Sequence, residues 1–476
     1  MPARHCARAG GHARRAPGGA AAGRRTGRLM ARNSTRPLAV VLLAAGKGVR
    51  MRSERIPKVL QELCGLPLLA YPLRVARALD PAKIVAVVGF RREAVMDAFR
   101  GEDIVWAVQE EQRGTGHAAL VALDAMPDFD GDVLIINGDL PHLDAATVRD
   151  FVAAHARSGA AGTIMVCVKE DPTGYGRIVR DPDGTPRDVV EERDASPEIR
   201  AMREVNVGLY VYDARLLRDI LREVKPHNAQ GEHYLTDAFP LLVRRGGKAG
   251  TFLLAQEREI EQISSRADLA RSSRRLFDAA CAQWMARGVT IVSPETTFIE
   301  QDVEIGEDSV ILPFCVIRRG VRIGRGCEVG PFAHLRPGTV LADESEVGNF
   351  VELKNTALGK GSRAKHLSYL GDGVIGPDVN IGAGTIFANY DGHAKHTTTV
   401  EAGAFVGSGS ILIAPVTVGE GAVTAAGAVV TKGSDVPPGG VVAGVPARPL
   451  EKRRRAGAGD TKRRAGRGKA IPAGGM

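Results

Sequence analysis

The sequence lacks the features of membrane proteins and of disulfide-stabilised secreted proteins. It contains no uninterrupted apolar run of about 18 residues, which is the length that a transmembrane helix requires. Its six cysteines show no paired spacing of the kind that binds metal ions. In reducing compartments such thiols stay free. We therefore expect a soluble, cytoplasmic protein whose cysteines are reduced and mostly buried.

The first 36 residues contain no acidic residue and no apolar segment, but they contain nine arginines. A signal peptide needs an apolar segment, so export is not expected. Residues 450–476 are also basic and have no apolar periodicity. We predict that residues 1–36 and 450–476 are disordered basic extensions. Three alternatives stay open for residues 1–36: an Arg-rich transit peptide, a true start at Met30, and a nucleic-acid-binding segment.

The net charge of +9 does not describe the chain between these extensions. The positive charge is concentrated at the two ends, and the remaining residues are mildly acidic. An acidic body disfavours a protein whose main function is to bind nucleic acid or a membrane surface. The length of 476 residues predicts about three domains, and a charged fraction of 25% is ordinary for globular proteins.

Aliphatic residues recur at every sixth position in the second half of the chain. Neither the 3.6-residue period of a helix nor the two-residue period of a strand predicts this spacing. A hexapeptide repeat does, because every sixth side chain then points into a triangular coil made of three repeats. We predict a left-handed parallel β-helix over residues 289–449. The repeating residues are Ile299, Ile305, Ile311, Ile317, Ile323, Val329, Leu335, Leu341, Val347 and Leu353. Smaller residues recur four positions later, at Ser309, Cys315, Cys327, Ala333, Thr339, Ser345 and Val351.

The six-residue repeat is interrupted after Leu353 and again between Phe387 and Val400. Loops that leave a rigid scaffold commonly carry functional sites, so we expect the site of this half at the interruptions. His366 follows the first interruption, close to Tyr369. Histidine ordinarily titrates near neutral pH, and we interpret His366 as a general base. A structural histidine is the alternative.

The region 37–262 alternates short apolar runs with helical patterns, which predicts a mostly parallel Rossmann-like α/β sheet with helices on both faces. A glycine-rich turn, residues 43–51 (LAAGKGVRM), follows the first run. Backbone N–H groups in such a turn can hold a phosphate chain, and Arg50 and Lys58 add positive charge. Residues 263–288 keep helical spacing up to Gly288, which predicts a helical linker.

Polar segments follow two further predicted strands. Residues 109–117 (QEEQRGTGH) carry amides that can bind the edge of a base. Asp139 comes just after another strand, where a carboxylate beside phosphates is suited to bind Mg²⁺. A turn or helix-capping role is the alternative for Asp139.

Several ordered motifs together resemble a known family. Besides residues 43–51 and 109–117, they are 57–60 (PKVL), 137–141 (NGDLP), 171–179 (DPTGYGRIV), 189–195 (VVEERDA), 205–211 (VNVGLYV) and 227–237 (HNAQGEHYLTD). These segments are similar to those of sugar-nucleotide pyrophosphorylases. Combined with the hexapeptides, they resemble the bacterial bifunctional UDP-N-acetylglucosamine pyrophosphorylase / glucosamine-1-phosphate N-acetyltransferase family, over about residues 37–450.

This resemblance implies two reactions. Acetyl-CoA acetylates glucosamine 1-phosphate, and UTP then transfers UMP to N-acetylglucosamine 1-phosphate with release of pyrophosphate. The resemblance also implies Mg²⁺, a homotrimer through the β-helix with sites shared between subunits, and a role in supplying cell-wall and lipopolysaccharide precursors. A nucleotidyltransferase whose β-helix serves only as a trimer scaffold stays the alternative.

The resemblance also assigns the site residues. His366 is the base of acetyl transfer, and Asp139 and Asn228 hold Mg²⁺. The UTP and UDP-N-acetylglucosamine residues are Leu43, Ala44, Ala45, Gly46, Arg50, Lys58, Gln109, Gln112, Gly114, Thr115, Asp139, Gly176, Glu191, Asn206 and Asn228. The sugar phosphate of acetyl transfer is assigned to Arg336, Lys354, Tyr369, Asn380 and Lys395, and acetyl-CoA to Ala383, Asn389, Tyr390, Ser408 and Ala426.

The sequence departs from the family pattern beside both sites. Val49 stands where the family usually has threonine, and the stretch between Met51 and Pro57 is one residue longer. Gly444 stands where an arginine ordinarily binds the coenzyme phosphate. Arg448 or the basic tail is the alternative partner for that phosphate.

Overall fold

The computed structural model describes residues 36–226, 228 and 230–450. The predictions for the basic extensions therefore fall almost entirely outside the described residues. Within these residues, the strands of the first half are β1 Leu38–Leu43, β2 Glu62–Leu63, β3 Leu66–Pro67, β4 Lys83–Val88, β5 Val105–Val108, β6 Asp132–Asn137, β7 Gly162–Val168, β8 Arg177–Arg180, β9 Pro186–Val190, β10 Glu204–Asp213 and β11 Ala249–Leu253.

The main sheet has the strand order β11-β7-β10-β6-β1-β4-β5, and the β8–β9 hairpin pairs with β10. β1 runs parallel to both β4 and β6, whereas β10 runs antiparallel to β6 and β7. In this register Leu43 lies opposite Asn137, and the amide of Gly138 donates to the Leu43 carbonyl at 2.9 Å. The glycine turn after β1 and the segment after β6 therefore meet at one edge of the sheet.

Helices cover both faces of this sheet, as predicted. Successive β1 side chains enter opposite cores, with Val40 and Leu42 on one side and Ala39 and Val41 on the other. The helices are α1 Ala70–Ala78, α2 Arg92–Ala98, α3 Thr115–Asp124, α4 Ala145–Ser158, α5 Pro197–Arg200, α6 Ala214–Leu221, α7 Ala238–Arg244 and α8 Arg266–Ala286.

Helix α8 lies within the segment predicted as a linker. Its first turn carries a capping box: Ser265 Oγ accepts from the Asp268 amide at 3.2 Å, and Asp268 Oδ2 accepts from the Ser265 amide at 2.7 Å. Gly288, with φ of 87°, follows the helix end. The domain boundaries at 262/263 and 288/289 themselves stay predictions.

The second half is a triangular prism of short strands in three stacked faces. The first face contains Thr290–Ile291, Val310–Ile311, Glu328–Val329, Glu346–Asn349, Arg363–His366, Asn380–Ile381, Phe405–Val406, Val423–Thr424, Val441–Ala443 and Arg448–Pro449. The second contains Phe298–Ile299, Val316–Ile317, His334–Leu335, Glu352–Lys354, Tyr369–Gly371, Ile386–Ala388, Ile411–Ile413 and Val429–Val430. The third contains Glu304–Ile305, Arg322–Ile323, Val340–Leu341, Ala357–Leu358, Gly373–Ile375, Thr398–Val400 and Val416–Val418.

The interior of the prism agrees with the hexapeptide prediction. All ten repeating aliphatic side chains are buried, and none is more than 6% exposed. The small residues four positions later are buried as well. Neighbouring strands within each face run parallel, except that Arg448–Pro449 pairs antiparallel with Val441–Ala443. The predicted parallel β-helix is confirmed.

The prediction of a loop after Leu353 was wrong. The chain stays in the coil, but the next inward residue, Leu358, comes after five positions instead of six. The shorter corner turns at Asn355, with φ of 48°, and one coil later at Asp372, with φ of 52°. Asn and Asp tolerate this left-handed conformation better than most residues. The second interruption is a true loop, residues 389–397, between two strands.

We expect Leu353→Ala to destabilise the β-helix by about 2–5 kcal/mol, because it opens a cavity in a fully buried core. Val374→Ala is the matched control, since Val374 is 52% exposed, and we expect it to stay within about 0.5 kcal/mol. Urea unfolding of the two variants measures the difference. Equal transitions for both variants would contradict the inward position of Leu353.

Candidate active sites

A cavity of about 710 Å³ opens at the carboxyl ends of β1 and β6. The elements that line it are the glycine turn, the turn before α3 and the segment after β6. Ten of the residues predicted for nucleotide binding contribute to this lining, which places the sequence motifs around one space. They are Leu43, Ala44, Ala45, Gly46, Lys58, Gln109, Gln112, Gly114, Thr115 and Asp139.

The glycine turn is shaped to bring a lysine close. Gly48 has φ of 61°, and a Cβ on it would lie 2.6 Å from Lys58 Cβ, so only glycine fits without displacement. Lys58 forms an ion pair with Asp139 Oδ2 inside the cavity. Positive charge therefore lies directly beside the backbone turn that is suited to phosphates.

Asp139 has the properties of a cation ligand. Its Oδ1 atom is buried and has no hydrogen-bond partner among the described residues, which is costly unless a ligand satisfies it. Mg²⁺ commonly binds one or two protein carboxylates together with substrate phosphates. Among the described residues, no group of three or more His, Cys, Asp or Glu side chains is arranged to hold a metal ion. A magnesium site at Asp139 therefore fits a phosphate-bound ion rather than a preformed protein cage.

Asn228 lies outside the lining of this cavity. Its Oδ1 atom accepts from the amides of Gln230 at 3.3 Å and Glu232 at 3.1 Å, and its Nδ2 donates to the Glu232 carbonyl at 2.5 Å. The Asn228 amide thus folds its own loop and presents Glu232 to the cavity. Magnesium binding by Asn228 stays a prediction that would require these bonds to rearrange.

The turn before α3 is held by its own side chains. Gln109 Nε2 donates to the Gly114 carbonyl at 3.1 Å, and Thr115 Oγ1 accepts from the Leu235 amide at 3.0 Å. Gly114 has φ of 105°, and a Cβ there would lie 2.5 Å from the His233 carbonyl oxygen. The turn is therefore packed and rigid, which suits recognition of a flat base.

A smaller pocket of about 160 Å³ adjoins the cavity and contains the predicted sugar residues Gly176, Glu191 and Asn206. Thr236 Oγ1 donates to Glu191 Oε1 at 3.2 Å, and burial raises the pKa of the Glu191 carboxyl. Asn206 donates to the Tyr210 hydroxyl at 2.7 Å. These hydrogen bonds fix polar groups around a space suited to hydroxyl and amide substituents.

In the β-helix, four predicted residues lie on the edge between the first and second faces, one on each successive coil. We call this set the corner row: His366, Ala383, Ser408 and Ala426. His366 and Ser408 are exposed. Backbone hydrogen bonds stack the row: Gly384 N to His366 O at 3.3 Å, Gly409 N to Ala383 O at 2.7 Å, and Gly427 N to Ser408 O at 2.8 Å. The row forms a continuous track that begins at the candidate base.

Three cations gather on the second face and the following loop: Arg336, Lys354 and Lys395. The Lys395 ammonium lies beside Lys354 and lowers the pKa of Lys354, with Arg336 adding to the effect. Asp372 partly offsets this repulsion and is itself held by hydrogen bonds from Asn355 and Asn389. Two facing ammonium groups are unfavourable without an anion between them, so the cluster is suited to bind phosphate.

Comparison with known proteins agrees with both halves. Residues 40–279 match the MobA-like NTP transferase domain. Residues 302–337 match the bacterial transferase hexapeptide (six repeats), and residues 397–432 match the hexapeptide repeat of succinyl-transferase.

The chain is similar to several proteins that are named bifunctional protein GlmU. The protein of Thermobifida fusca is 41% identical over 88% of this chain and 94% of its own length. The protein of Carboxydothermus hydrogenoformans is 42% identical over 80% of this chain and 92% of its own length. The protein of Rubrobacter xylanophilus is 42% identical over 90% of this chain and 98% of its own length. The chain belongs to the family of bifunctional GlmU proteins.

Membership of the GlmU family confirms the resemblance predicted from the motifs. It also confirms the fold class and a bifunctional enzyme that joins a nucleotidyltransferase to a hexapeptide acetyltransferase. Among the described residues, no helix is long and apolar enough to span a membrane. The five described cysteines are free and buried, as expected. The individual site residues stay predictions.

Some predicted residues of the GlmU-type acetyltransferase site lie apart from the rest. Asn380 lies on the first face, between Arg363 and Phe405 in strand register, whereas the cation cluster lies on the second face. Tyr390 is exposed in the loop 389–397, and its hydroxyl donates to the Gly392 carbonyl at 2.6 Å. Within one chain, Asn380 is therefore not part of the cluster.

The sequence motifs missed several residues of the nucleotide cavity. Lys47 lines it, whereas the predicted Arg50 does not. Asn137, Glu232 and Gln262 also line it. Asn137 directly precedes the glycine–aspartate pair and could have been selected as a strand-end residue. No periodicity or motif marked Gln262, which reaches the site only through tertiary structure.

We expect Lys395→Met to raise the pKa of Lys354 toward its ordinary range, because the main cause of its lowering is removed. Lysine-selective NMR of ¹³C-methylated protein across a pH titration measures this change. Lys360→Met is the control, since Lys360 pairs with Glu344 at 3.2 Å, and should leave the Lys354 titration unchanged. An unchanged Lys354 titration in Lys395→Met would contradict the proximity of the two ammonium groups.

Proposed function

We propose that the chain makes UDP-N-acetylglucosamine in two steps at two separate sites. The β-helix acetylates glucosamine 1-phosphate with acetyl-CoA. The α/β half then transfers UMP from UTP to N-acetylglucosamine 1-phosphate and releases pyrophosphate. Residues 37–262 and 289–449 are the two catalytic domains, joined by the helical linker 263–288.

In acetyl transfer, His366 removes a proton from the ammonium group of the sugar. The neutral amine then attacks the thioester carbonyl, and a C–N bond forms while the C–S bond breaks. The nitrogen gives up a second proton, the leaving thiolate takes up a proton, and coenzyme A leaves as the thiol. Arg336, Lys354 and Lys395 bind the sugar phosphate with charge-assisted hydrogen bonds. The coenzyme extends along the corner row, of which His366 is the first residue. This arrangement would put the thioester next to the base.

In uridylyl transfer, the phosphate oxygen of N-acetylglucosamine 1-phosphate attacks the α-phosphorus of UTP, and the bond to pyrophosphate breaks. Such reactions need positioning and charge neutralisation rather than a covalent enzyme intermediate. The glycine turn and Lys58 bind the phosphates, and Gln112, Gly114 and Thr115 hold the uracil. Mg²⁺, held by Asp139, would supply further neutralisation of the phosphate charge when bound.

The acetyltransferase site requires a trimer. His366 is exposed at the end of a first-face strand, and Asn380 lies on that first face, whereas the cation cluster lies on the second face of the same prism. A second copy of the chain packed along the prism would cover His366 and bring its own Asn380 to the cation cluster. The protein acts in the cytoplasm, where UTP, acetyl-CoA and reduced thiols occur together.

One observation carries this proposal: a single chain contains both candidate sites. They are the nucleotide cavity with the Lys58–Asp139 pair and the exposed His366 on a corner of the β-helix. The test supplies purified protein with glucosamine 1-phosphate, acetyl-CoA, UTP and Mg²⁺. We expect one coenzyme A and one pyrophosphate for each UDP-N-acetylglucosamine formed. Pyrophosphate release from N-acetylglucosamine 1-phosphate without any release of coenzyme A would instead support the alternative of a scaffold β-helix.

A further inference from the structure

The nucleotide cavity and the smaller sugar pocket share a boundary of four residues: Leu43, Thr115, Asn137 and Gln262. Leu43 is apolar, and the Thr115 hydroxyl already accepts from the Leu235 amide. The two side-chain amides at the boundary, each with two N–H donors, belong to Asn137 and Gln262. Of these two, Gln262 carries the longer side chain and comes from a different part of the chain.

Gly208 on β10 shows where the two amide groups point. A Cβ placed on Gly208 would lie 2.5 Å from Asn137 Nδ2 and 3.8 Å from Gln262 Nε2. Both nitrogens therefore face the same small space, which is open because this position is glycine. Among the described residues, the side chain of Gln262 has no hydrogen-bond partner within the protein.

The backbone is held in place at the two positions that follow Gln262. The amide of Ile263 donates to the Asp139 carbonyl at 3.1 Å. The amide of Ser264 donates to Asp268 Oδ2 at 3.0 Å, within the cap of α8. Gln262 thus projects from an anchored segment that connects the candidate magnesium ligand to the linker helix. An anchored amide with free hydrogen-bonding groups is suited to bind a ligand at a defined position.

We propose that the side-chain amide of Gln262 binds the phosphate of the sugar 1-phosphate during uridylyl transfer. This inference rests on the function proposed above. The attacking phosphate must extend from the sugar pocket to the α-phosphate of UTP in the cavity, so it crosses the boundary that Gln262 lines. An amide N–H donates to a phosphate oxygen without adding charge beside the Lys58–Asp139 pair. Gln262 consequently selects a phosphorylated sugar and orients its nucleophilic oxygen.

The test compares Gln262→Leu and Gln262→Glu in steady-state uridylyl transfer. Loss of a hydrogen bond to a charged group predicts a KM for N-acetylglucosamine 1-phosphate that is raised roughly tenfold in Gln262→Leu, with the KM for UTP little changed. In Gln262→Glu a carboxylate faces the phosphate, and the loss of kcat/KM is greater. That loss shrinks as the pH falls, because the protonated carboxyl is neutral and can donate.

Gln256→Glu is the matched control. Its side chain lies outside both pockets and accepts from Arg258 Nε at 2.9 Å, so uridylyl transfer should stay at the wild-type rate. Acetyl transfer by the same samples reports whether each variant is folded, and Gln262→Met replaces Gln262→Leu if the latter loses acetyl transfer. An unchanged KM for the sugar phosphate, an equal rise in both KM values, or a Gln262→Glu deficit that is independent of pH would overturn the inference.

The wild-type control separates this inference from the proposed function. If wild-type protein releases no pyrophosphate from UTP and N-acetylglucosamine 1-phosphate, the proposed function itself fails, and the role of Gln262 fails with it. If wild-type protein is active and the Gln262 variants match it in both KM values, only the inference fails.

Discussion

Replacing His366 with alanine should lower the rate of acetyl transfer by roughly a hundredfold to ten-thousandfold, the usual contribution of a general base. The amine of glucosamine 1-phosphate attacks the thioester only when it is neutral, and His366 is the histidine at the start of the corner row. Uridylyl transfer by the same protein should keep its wild-type rate, because the Lys58–Asp139 cavity is formed by the other half of the chain. Coenzyme A release and pyrophosphate release measure the two reactions separately.

His393→Ala is the control for the loss of an exposed histidine in the same half. His393 lies in the loop 389–397, where its backbone amide donates to Asp391 Oδ1 at 3.0 Å. We expect acetyl transfer within about twofold of wild type in this variant. If His366→Ala keeps full acetyl transfer, or if it loses both reactions while remaining folded, the role of His366 is wrong.

Asp139→Asn should lower uridylyl transfer by roughly a hundredfold to a thousandfold and leave acetyl transfer intact. The substitution keeps the shape of the side chain but removes the charge that pairs with Lys58. It also replaces the carboxylate, whose buried Oδ1 atom has no partner among the described residues, with a neutral amide, and a neutral amide binds Mg²⁺ more weakly. The deficit should appear in kcat/KM, and isothermal titration should show weaker Mg²⁺ binding in the presence of UTP.

Asp144→Asn makes the same chemical change five residues later in the chain. Asp144 caps α4 by accepting from the Ala146 amide at 2.7 Å, and asparagine caps helices equally well. This variant should therefore retain both activities. Full uridylyl transfer in Asp139→Asn, or an equal loss in Asp144→Asn, would remove Asp139 from the proposed mechanism.

The sequence predicted the features that local physics determines. A strict period of six identified the β-helix, because only side chains inside a triangular coil repeat at that spacing. The glycine turn at residues 43–51 was identifiable because it directly follows a buried strand, and the sheet brings it to Asp139 through the pairing of β1 with β6. The inward residues of the β-helix are close in sequence, and the residues of the glycine turn reach Asp139 through the register of the sheet.

The sequence did not predict features that depend on packing between distant segments. Gln262 lies more than a hundred residues from Asp139, and tertiary contacts such as the hydrogen bond from Ile263 to the Asp139 carbonyl bring it to the cavity. Arg50 was preferred to Lys47 because nothing in a glycine turn indicates which cation faces inward. The shortened corner at Asn355 was mistaken for a loop, because losing one residue and inserting a loop interrupt a period in the same way.

Mixing the two inactive variants tests the central claim, two independent sites on one chain, most directly. Neither His366→Ala nor Asp139→Asn alone should convert glucosamine 1-phosphate, acetyl-CoA and UTP into UDP-N-acetylglucosamine at an appreciable rate. The mixture should form it, because N-acetylglucosamine 1-phosphate made by Asp139→Asn diffuses to His366→Ala. Failure of the mixture to form the product, with both proteins folded, would contradict the separation of the two reactions.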